Sequence, residues 1–313
     1  MSQVRRPKRR VDGVLLLDKP YQISSNGALQ KVRWMFNAAK AGHTGVLDPL
    51  ATGLLPVCFG EATKFSSYLL DADKGYRATV KFGAVTTTGD IEGEVLRERP
   101  VNFSEAELLA AMAKFIGPIS QVPPMYSALK FQGKALYEYA RQGVEIERKA
   151  REVTIHSIKL ISLDLLGESA VIDVLCSKGT YIRTLAEDIG EVLGCGAHLS
   201  GLRRTTTAGF KLEDALTPEQ VETVAYENRL GLLLPPDILV MHFPELNLAE
   251  PEVGRFNHGQ AVHVAEKREI MARFRVYREA TREFLGLGEV RADGLLYPFR
   301  LMAAAAAETP ANQ

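Results

Sequence analysis

The run GYRATVKF, residues 75–82, limits the fold more than any other stretch: Tyr76, Ala78, Val80 and Phe82 fall on one face of an extended chain, and Arg77, Thr79 and Lys81 on the other. Period-2 alternation of this kind predicts a half-buried antiparallel strand, one face on a core and one in water. A second strand is expected in SAVIDVLC, ending near Cys176. A Ser-Lys-Gly turn follows, then a helix from near Thr180 that closes at Gly194 and carries Arg183 in its first turn. Strands and helices do not alternate strictly, and no G-x-G-x-x-G follows a strand, which argues against a parallel nucleotide-binding sheet. The pattern predicts an α+β chain around a central mixed, mainly antiparallel sheet.

Three helices carry clear start signals. In SSNGALQKVRWMF, Ser25 or Asn26 is the expected N-cap, with Leu29, Val32, Arg33 and Phe36 at helical spacing. In SEAELLAAMAKFIG, Ser104 and Glu107 predict a capping box, Leu108, Leu109, Met112 and Ile116 follow, and Gly117-Pro118 is the expected stop. In TPEQVETVAYE, Thr217 is the cap, Pro218 takes the first helical position and Gln220 is in reach of the cap. All three read as scaffold.

At 313 residues and 46% hydrophobic, the chain can bury a large core and is long enough for one large domain plus a small one. A boundary is expected near LLLPPDILVMHFPELNLAEPE, where prolines cluster; beyond it, short strands and glycine turns over residues 246–302 suggest a compact β-barrel-like module. The alanine-rich end, 303–313, reads as a disordered tail. Three widely spaced cysteines offer neither a disulfide framework nor a CxxC motif, and the basic start leads only into the short apolar run VLLL. A reducing, cytoplasmic setting is the simplest expectation.

Net charge is zero but uneven. Residues 1–40 hold nine Lys/Arg, five of them in an N-terminal arm at 1–10, whereas residues 212–260 hold nine Asp/Glu against Arg229 and Arg255. A basic arm suits a polyanion partner and equally suits a solvated tail.

One carboxylate, Asp48, stands in the small, apolar stretch GHTGVLDPLATGLLP. Three readings are open from spacing alone: a turn residue before proline, one of two metal carboxylates, or a nucleophile oriented by an arginine from elsewhere. The second is poor, because HxxxxD without a neighbouring His/Asp/Glu cluster is weak ligand spacing; no metal is expected. The stretch GHTGVLDPLATGLLPVCFGEATKF resembles the signature of the bacterial tRNA pseudouridine synthase B family. GVLLLDKPYQISSN is similar to the family's K-P motif, DKGYRATVKFG to its tyrosine motif and CSKGTYIRTLAEDIG to its arginine motif. VPPMYSALKFQGKALYEYARQGVEIERKAREV looks like the segment that folds over RNA. Several motifs in order along nearly the whole chain make the resemblance specific.

The resemblance implies a pseudouridine synthase fold over residues 11–245, with an RNA-clamping insertion at about 124–151, and a C-terminal PUA domain. The implied reaction converts uridine 55 of the tRNA T-loop to pseudouridine, with no cofactor. It makes Asp48 the nucleophile, held in a mobile glycine-flanked loop, and Arg183 its ion-pair partner. Tyr76 is assigned to the base pocket with a hydroxyl that assists proton removal from C5. His43 would occupy the gap left by the everted base, Tyr181 and Leu202 would line the uracil pocket, and Asp90 would join the Asp48–Arg183 network unless it is only a hairpin-turn residue. Lys19, Lys64, Lys130, Arg141, Arg148, Lys149 and Arg151 are candidate contacts to the tRNA backbone. Nothing in the sequence requires more than a monomer. The rivals are an RNA-binding or chaperone protein without catalysis, for which the same basic segments would serve, and a guide-RNA-dependent synthase, against which the long insertion argues.

Overall fold

A computed structural model describes residues 7–264 and 269–303. Most of the basic arm, 1–6, and the tail from 304 lie outside the described residues. The strands, in chain order, are β1 (Gly13–Lys19), β2 (Ala41–His43), β3 (Thr52–Phe59), β4 (Lys74–Phe82), a small hairpin β5 (Ala84–Thr86) and β6 (Val95–Glu98), then β7 (Gly117–Gln121). A second small hairpin, β8 (Lys130–Phe131) and β9 (Lys134–Ala135), precedes β10 (Arg151–Asp164), β11 (Ser169–Cys176), β12 (Ala197–Thr207) and β13 (Phe210–Lys211). The main sheet runs β1-β3-β12-β4-β11-β10-β7, with β2 on β3 and β13 on β12. Its pairings are antiparallel except β3 with β12. The sheet is mixed and mainly antiparallel, as the alternation in β4 predicts.

Alternation separates two kinds of strand. In β4, Tyr76, Ala78, Val80 and Phe82 are buried and Arg77 is exposed. In β1, Leu15 and Leu17 enter one core while Val14 and Leu16 enter another on the opposite face, so the run reads as continuous apolar. The first core lies under helices α1 (Ser25–Met35), α3 (Glu105–Ala113) and α5 (Ile182–Val192) and the short α6 (Pro218–Thr223), which adds Val221, with the short α2 (Ser67–Leu70), α4 (Leu136–Ala140) and α7 (Glu252–Asn257) elsewhere along the chain.

The capping boxes of α3 and α6 form as expected. Two details differ. The α1 cap is Ser24, whose hydroxyl accepts the Gly27 amide at 3.0 Å, because Ser25 is turned inward to a loop described below. Helix α3 ends at Ala113, and Ile116 lies beyond it, 50% exposed, since Gly117 at φ +106° already opens β7. Helix α5 starts at Ile182 with Arg183 in its first turn, as expected.

The C-terminal strands β14 (Glu245–Leu248), β15 (Arg273–Arg278), β16 (Phe284–Val290) and β17 (Leu296–Leu301) form an open sheet with β14 and β17 as its edges. The expected barrel-like closure is not observed. One face carries its own core around Leu246, Phe256, Phe274 and Leu296, whereas Leu287 and Phe284 pack with Val14, Leu16 and Leu239 of the main body. A neighbouring layer thus covers the face that closure would otherwise have to cover. No helix among the described residues is long and apolar enough to cross a membrane.

Candidate active site

The loop between β2 and β3 carries Asp48, and buried polar groups tie it down. The Ser25 hydroxyl donates to the Leu47 carbonyl at 3.0 Å and accepts the Leu47 amide at 2.8 Å. The Gln22 amide donates to the Pro49 carbonyl at 3.0 Å, and the Ala51 amide closes a turn on the Asp48 carbonyl at 3.0 Å. The expected mobile loop is therefore fastened on both sides of Asp48. Downstream, Gly53 has φ +100°, and a Cβ there would lie 2.3 Å from the Arg204 carbonyl oxygen. Only glycine allows β12 to approach β3 in the parallel pairing at that point.

Arg183 reaches this loop from α5. Its Nη2 lies 3.0 Å from the Asp48 carboxylate and its Nη1 lies 3.5 Å from that of Asp90. The same nitrogens donate to the Thr88 carbonyl at 2.8 Å and the Tyr126 carbonyl at 2.6 Å. A cation in the first turn of a helix opposes the helix dipole, so these acceptors are what holds it there. Asp90 is both turn residue and network member: buried between β5 and β6, it accepts the Thr88 hydroxyl at 2.6 Å and the Glu92 amide at 3.1 Å.

The Asp48 side chain keeps 39% of its surface open to a cleft while protein surrounds the rest. Burial raises its pKa above the ordinary 3.8; Arg183 and Lys19 pull it down and Asp90 pushes it up, and the net direction is upward. Arg183 thus limits a desolvation effect rather than overcoming it.

Two adjoining cavities, of about 410 and about 520 Å³, meet at Asp48 and Arg183. Tyr76, Tyr181 and Leu202 line the first and His43 and Asp90 the second. Burial pushes the Tyr76 phenol up, with the Arg204 guanidinium acting against it, and Tyr181 is likewise raised by burial. Tyr181 is the N-cap of α5 and is fixed by Gln121, whose side chain accepts its amide at 3.1 Å and donates to its carbonyl at 3.3 Å. His43 ends the strand β2, and burial lowers its pKa.

The insertion forms one wall. Tyr126, Ser127 and Ala128 face both cavities or Arg183, and beyond them Tyr137 of α4 and Arg141, its C-cap, line the His43 side. Lys130, Arg141, Lys149 and Arg151 are exposed; Arg148 is partly buried and pairs with Glu145 at 3.1 Å. Lys64 holds Glu61 at 2.5 Å and the Leu301 carbonyl at 2.9 Å. Lys19 must be corrected as a backbone contact: it is fully buried, its ammonium donates to the carbonyls of Pro20, Ile23 and Pro49, and burial brings its pKa to about 8. It supports the Asp48 loop from beneath.

Sequence reasoning passed over Ser25 in this role and also Lys74 and Arg204, both buried and lining the Tyr76 cavity. The available signal for Arg204 was strand parity: two residues after Leu202, it shares that residue's face.

Three family profiles match the chain in sequence order. Residues 33–182 match the family profile "TruB family pseudouridylate synthase (N terminal domain)", residues 183–240 match "tRNA pseudouridylate synthase B C-terminal domain", and residues 244–302 match "Pseudouridine synthase II TruB, C-terminal". The tRNA pseudouridine synthase B of Chromobacterium violaceum is 66% identical, covering 97% of this chain and 98% of its own. The chain belongs to the tRNA pseudouridine synthase B family. A further relative of that name, from Pseudomonas aeruginosa, is 52% identical over 96% of this chain and 99% of its own. Among solved structures, a Cbf5-Nop10-Gar1 complex shares the fold with a TM-score of 0.66 and 26% identity, covering 89% of this chain and 78% of that one. An H/ACA RNP bound to a substrate RNA containing 2'-deoxyuridine shares the fold at a TM-score of 0.67 and 22% identity, covering 95% of this chain and 86% of that one.

Proposed function

We propose that this chain is a tRNA pseudouridine synthase that isomerises uridine 55 of the T-loop, with Asp48 as nucleophile. The observation that carries the reading is the 3.0 Å contact between Asp48 and a buried Arg183 where the two cavities meet. Family membership supplies the substrate class.

The reaction breaks the N1–C1′ bond, turns the uracil and joins C5 to C1′. After that bond forms, C5 loses its proton, the C5–H pair restores the C5=C6 double bond, and N1 gains a proton. No electrons are gained or lost, so the chemistry draws on no redox cofactor. Asp48 attacks at C1′ or at C6, and Arg183 fixes its direction. Tyr76 stacks on the everted base, Tyr181 and Leu202 flank it, and His43 fills the vacated space, offsetting an unstacking cost of a few kcal/mol. Asp90 orients Arg183 from its far side.

The exposed Lys130, Arg141, Lys149 and Arg151, with Arg148 and Lys64, contact the RNA backbone. Residues 11–245 are the catalytic domain, and residues 246–302 a PUA-like RNA-binding domain in open-sheet form. The enzyme acts as a cytoplasmic monomer on tRNA. The test is incubation of a T-arm stem-loop RNA with the wild type and Asp48→Asn, followed by detection of pseudouridine. Conversion by the wild type alone is expected; equal conversion by both removes the nucleophile, and binding without conversion by either leaves an RNA-binding protein.

A further inference from the structure

Two arginines border the Tyr76 cavity, and their surroundings are opposite. Arg183 has two carboxylates and two carbonyls around it. Arg204 is 1% exposed, its Nε donates to the Leu54 carbonyl at 2.7 Å, and its Nη2 is buried with no hydrogen-bond partner among the described residues. No carboxylate lies within ion-pair distance of it among those residues. A buried cation without a counter-charge is costly, and it persists where something else needs its field.

The strand register shows what lies beside it. Arg204 on β12 is directly opposite Tyr76 on β4, and both side chains line the same cavity. The backbone of Arg204 is held by the close parallel approach to Gly53, so the guanidinium has a fixed origin as well as a fixed Nε.

We propose that Arg204 is a positioning residue for Tyr76: its tethered guanidinium orients the phenol and stabilises negative charge on the phenol oxygen while the proton leaves C5. The inference rests on the proposed reaction. In that step the phenol passes its own proton to water in the cleft and takes the C5 proton, and the C5–H electron pair becomes the C5=C6 bond. The direction in which Arg204 moves the phenol's pKa, downward against the effect of burial, agrees with this. A structural role, in which Arg204 merely joins β12 to Leu54, would leave the proton step untouched.

The experiment is a double-mutant cycle on T-arm RNA. Arg204→Met should lower kcat on the order of 100-fold with KM changed less than about 3-fold, the scale of a lost acid–base contribution. In the Tyr76→Phe background the same substitution should cost less than about 3-fold, because the hydroxyl it serves is gone. Arg204→Lys should recover part of kcat, and substrate deuterated at uracil C5 should show a larger isotope effect in that variant than in the wild type. Equal losses in the two backgrounds, or an unchanged isotope effect, overturn the proposal. If Arg204→Met does not fold, the Arg204→Lys cycle and isotope effect decide alone. Wild-type protein that fails to convert the RNA at all refutes the proposed function, a different outcome.

Discussion

The two walls of the cleft are built in different ways. On one side the Asp48 loop is fastened by Ser25, Gln22 and a buried Lys19, and Arg183 pairs with Asp48 and Asp90 and donates to the carbonyls of Thr88 and, from the opposite wall, Tyr126. On the other, the 124–151 insertion is a short hairpin and a five-residue helix, mostly exposed, whose buried anchors include Ser127, Ala135 and Leu136. The first wall has the fixed hydrogen bonds that orienting the proposed nucleophile demands. Beyond Tyr126, whose carbonyl accepts from Arg183 at 2.6 Å, the second has few buried contacts to lose on shifting, as a surface that must admit a folded RNA requires.

The sharpest test of that contrast is Asp48→Asn, which should lower kcat by about 10⁴-fold or more while tRNA affinity stays within a few-fold, measured by single-turnover conversion and filter binding. Arg183→Met should cost roughly 10²- to 10³-fold in kcat, again with small changes in binding; near-normal turnover would show that the ion pair is incidental.

A pH profile sharpens the electrostatics. As the proposed nucleophile, Asp48 would have to be ionised to attack, and its pKa is raised, so activity should fall as pH drops through a limb lying above 3.8. Removing Arg183, which pulls that pKa down, should move the limb further up in the residual activity of Arg183→Met.

Ser25→Ala leaves the Leu47 amide and carbonyl without their partner. It should cost about 1–3 kcal/mol in denaturant titration, with a fall in kcat and little change in KM. The smallest effects belong to the exposed side: Lys149→Ala or Arg151→Ala should raise KM a few-fold, leave kcat alone and make log affinity less steep in log salt by about one charge each. A loss of kcat comparable to that of Ser25→Ala would show that the insertion is as rigid a part of the catalytic machinery as the opposite wall.

Local chemistry made part of this readable beforehand. The alternating Tyr76–Phe82 run and the capping boxes at Ser104 and Thr217 act over a few residues, and they form as expected. The motif pattern brought Asp48, Tyr76, Arg183, Tyr181 and Leu202 to one cleft, with His43 and Asp90 on its second side. Lys19 misled because a lysine beside proline looks solvent-facing, and only the fold closes carbonyls around its ammonium. Arg204 and Ser25 were obscure for a related reason: each owes its role to a partner across the sheet or in another loop.

By itself the sequence determined which segments alternate, which cap and stop, and therefore a mixed, mainly antiparallel sheet with helices over it, since these choices rest on backbone geometry within a turn or a strand. The tertiary structure alone decided which cations are satisfied and which are not, and whether the C-terminal strands close. Those outcomes depend on long-range packing: Arg183 meets a carboxylate 135 positions away (183 minus 48), and Leu287 is covered by Val14 and Leu16 instead of by its own sheet.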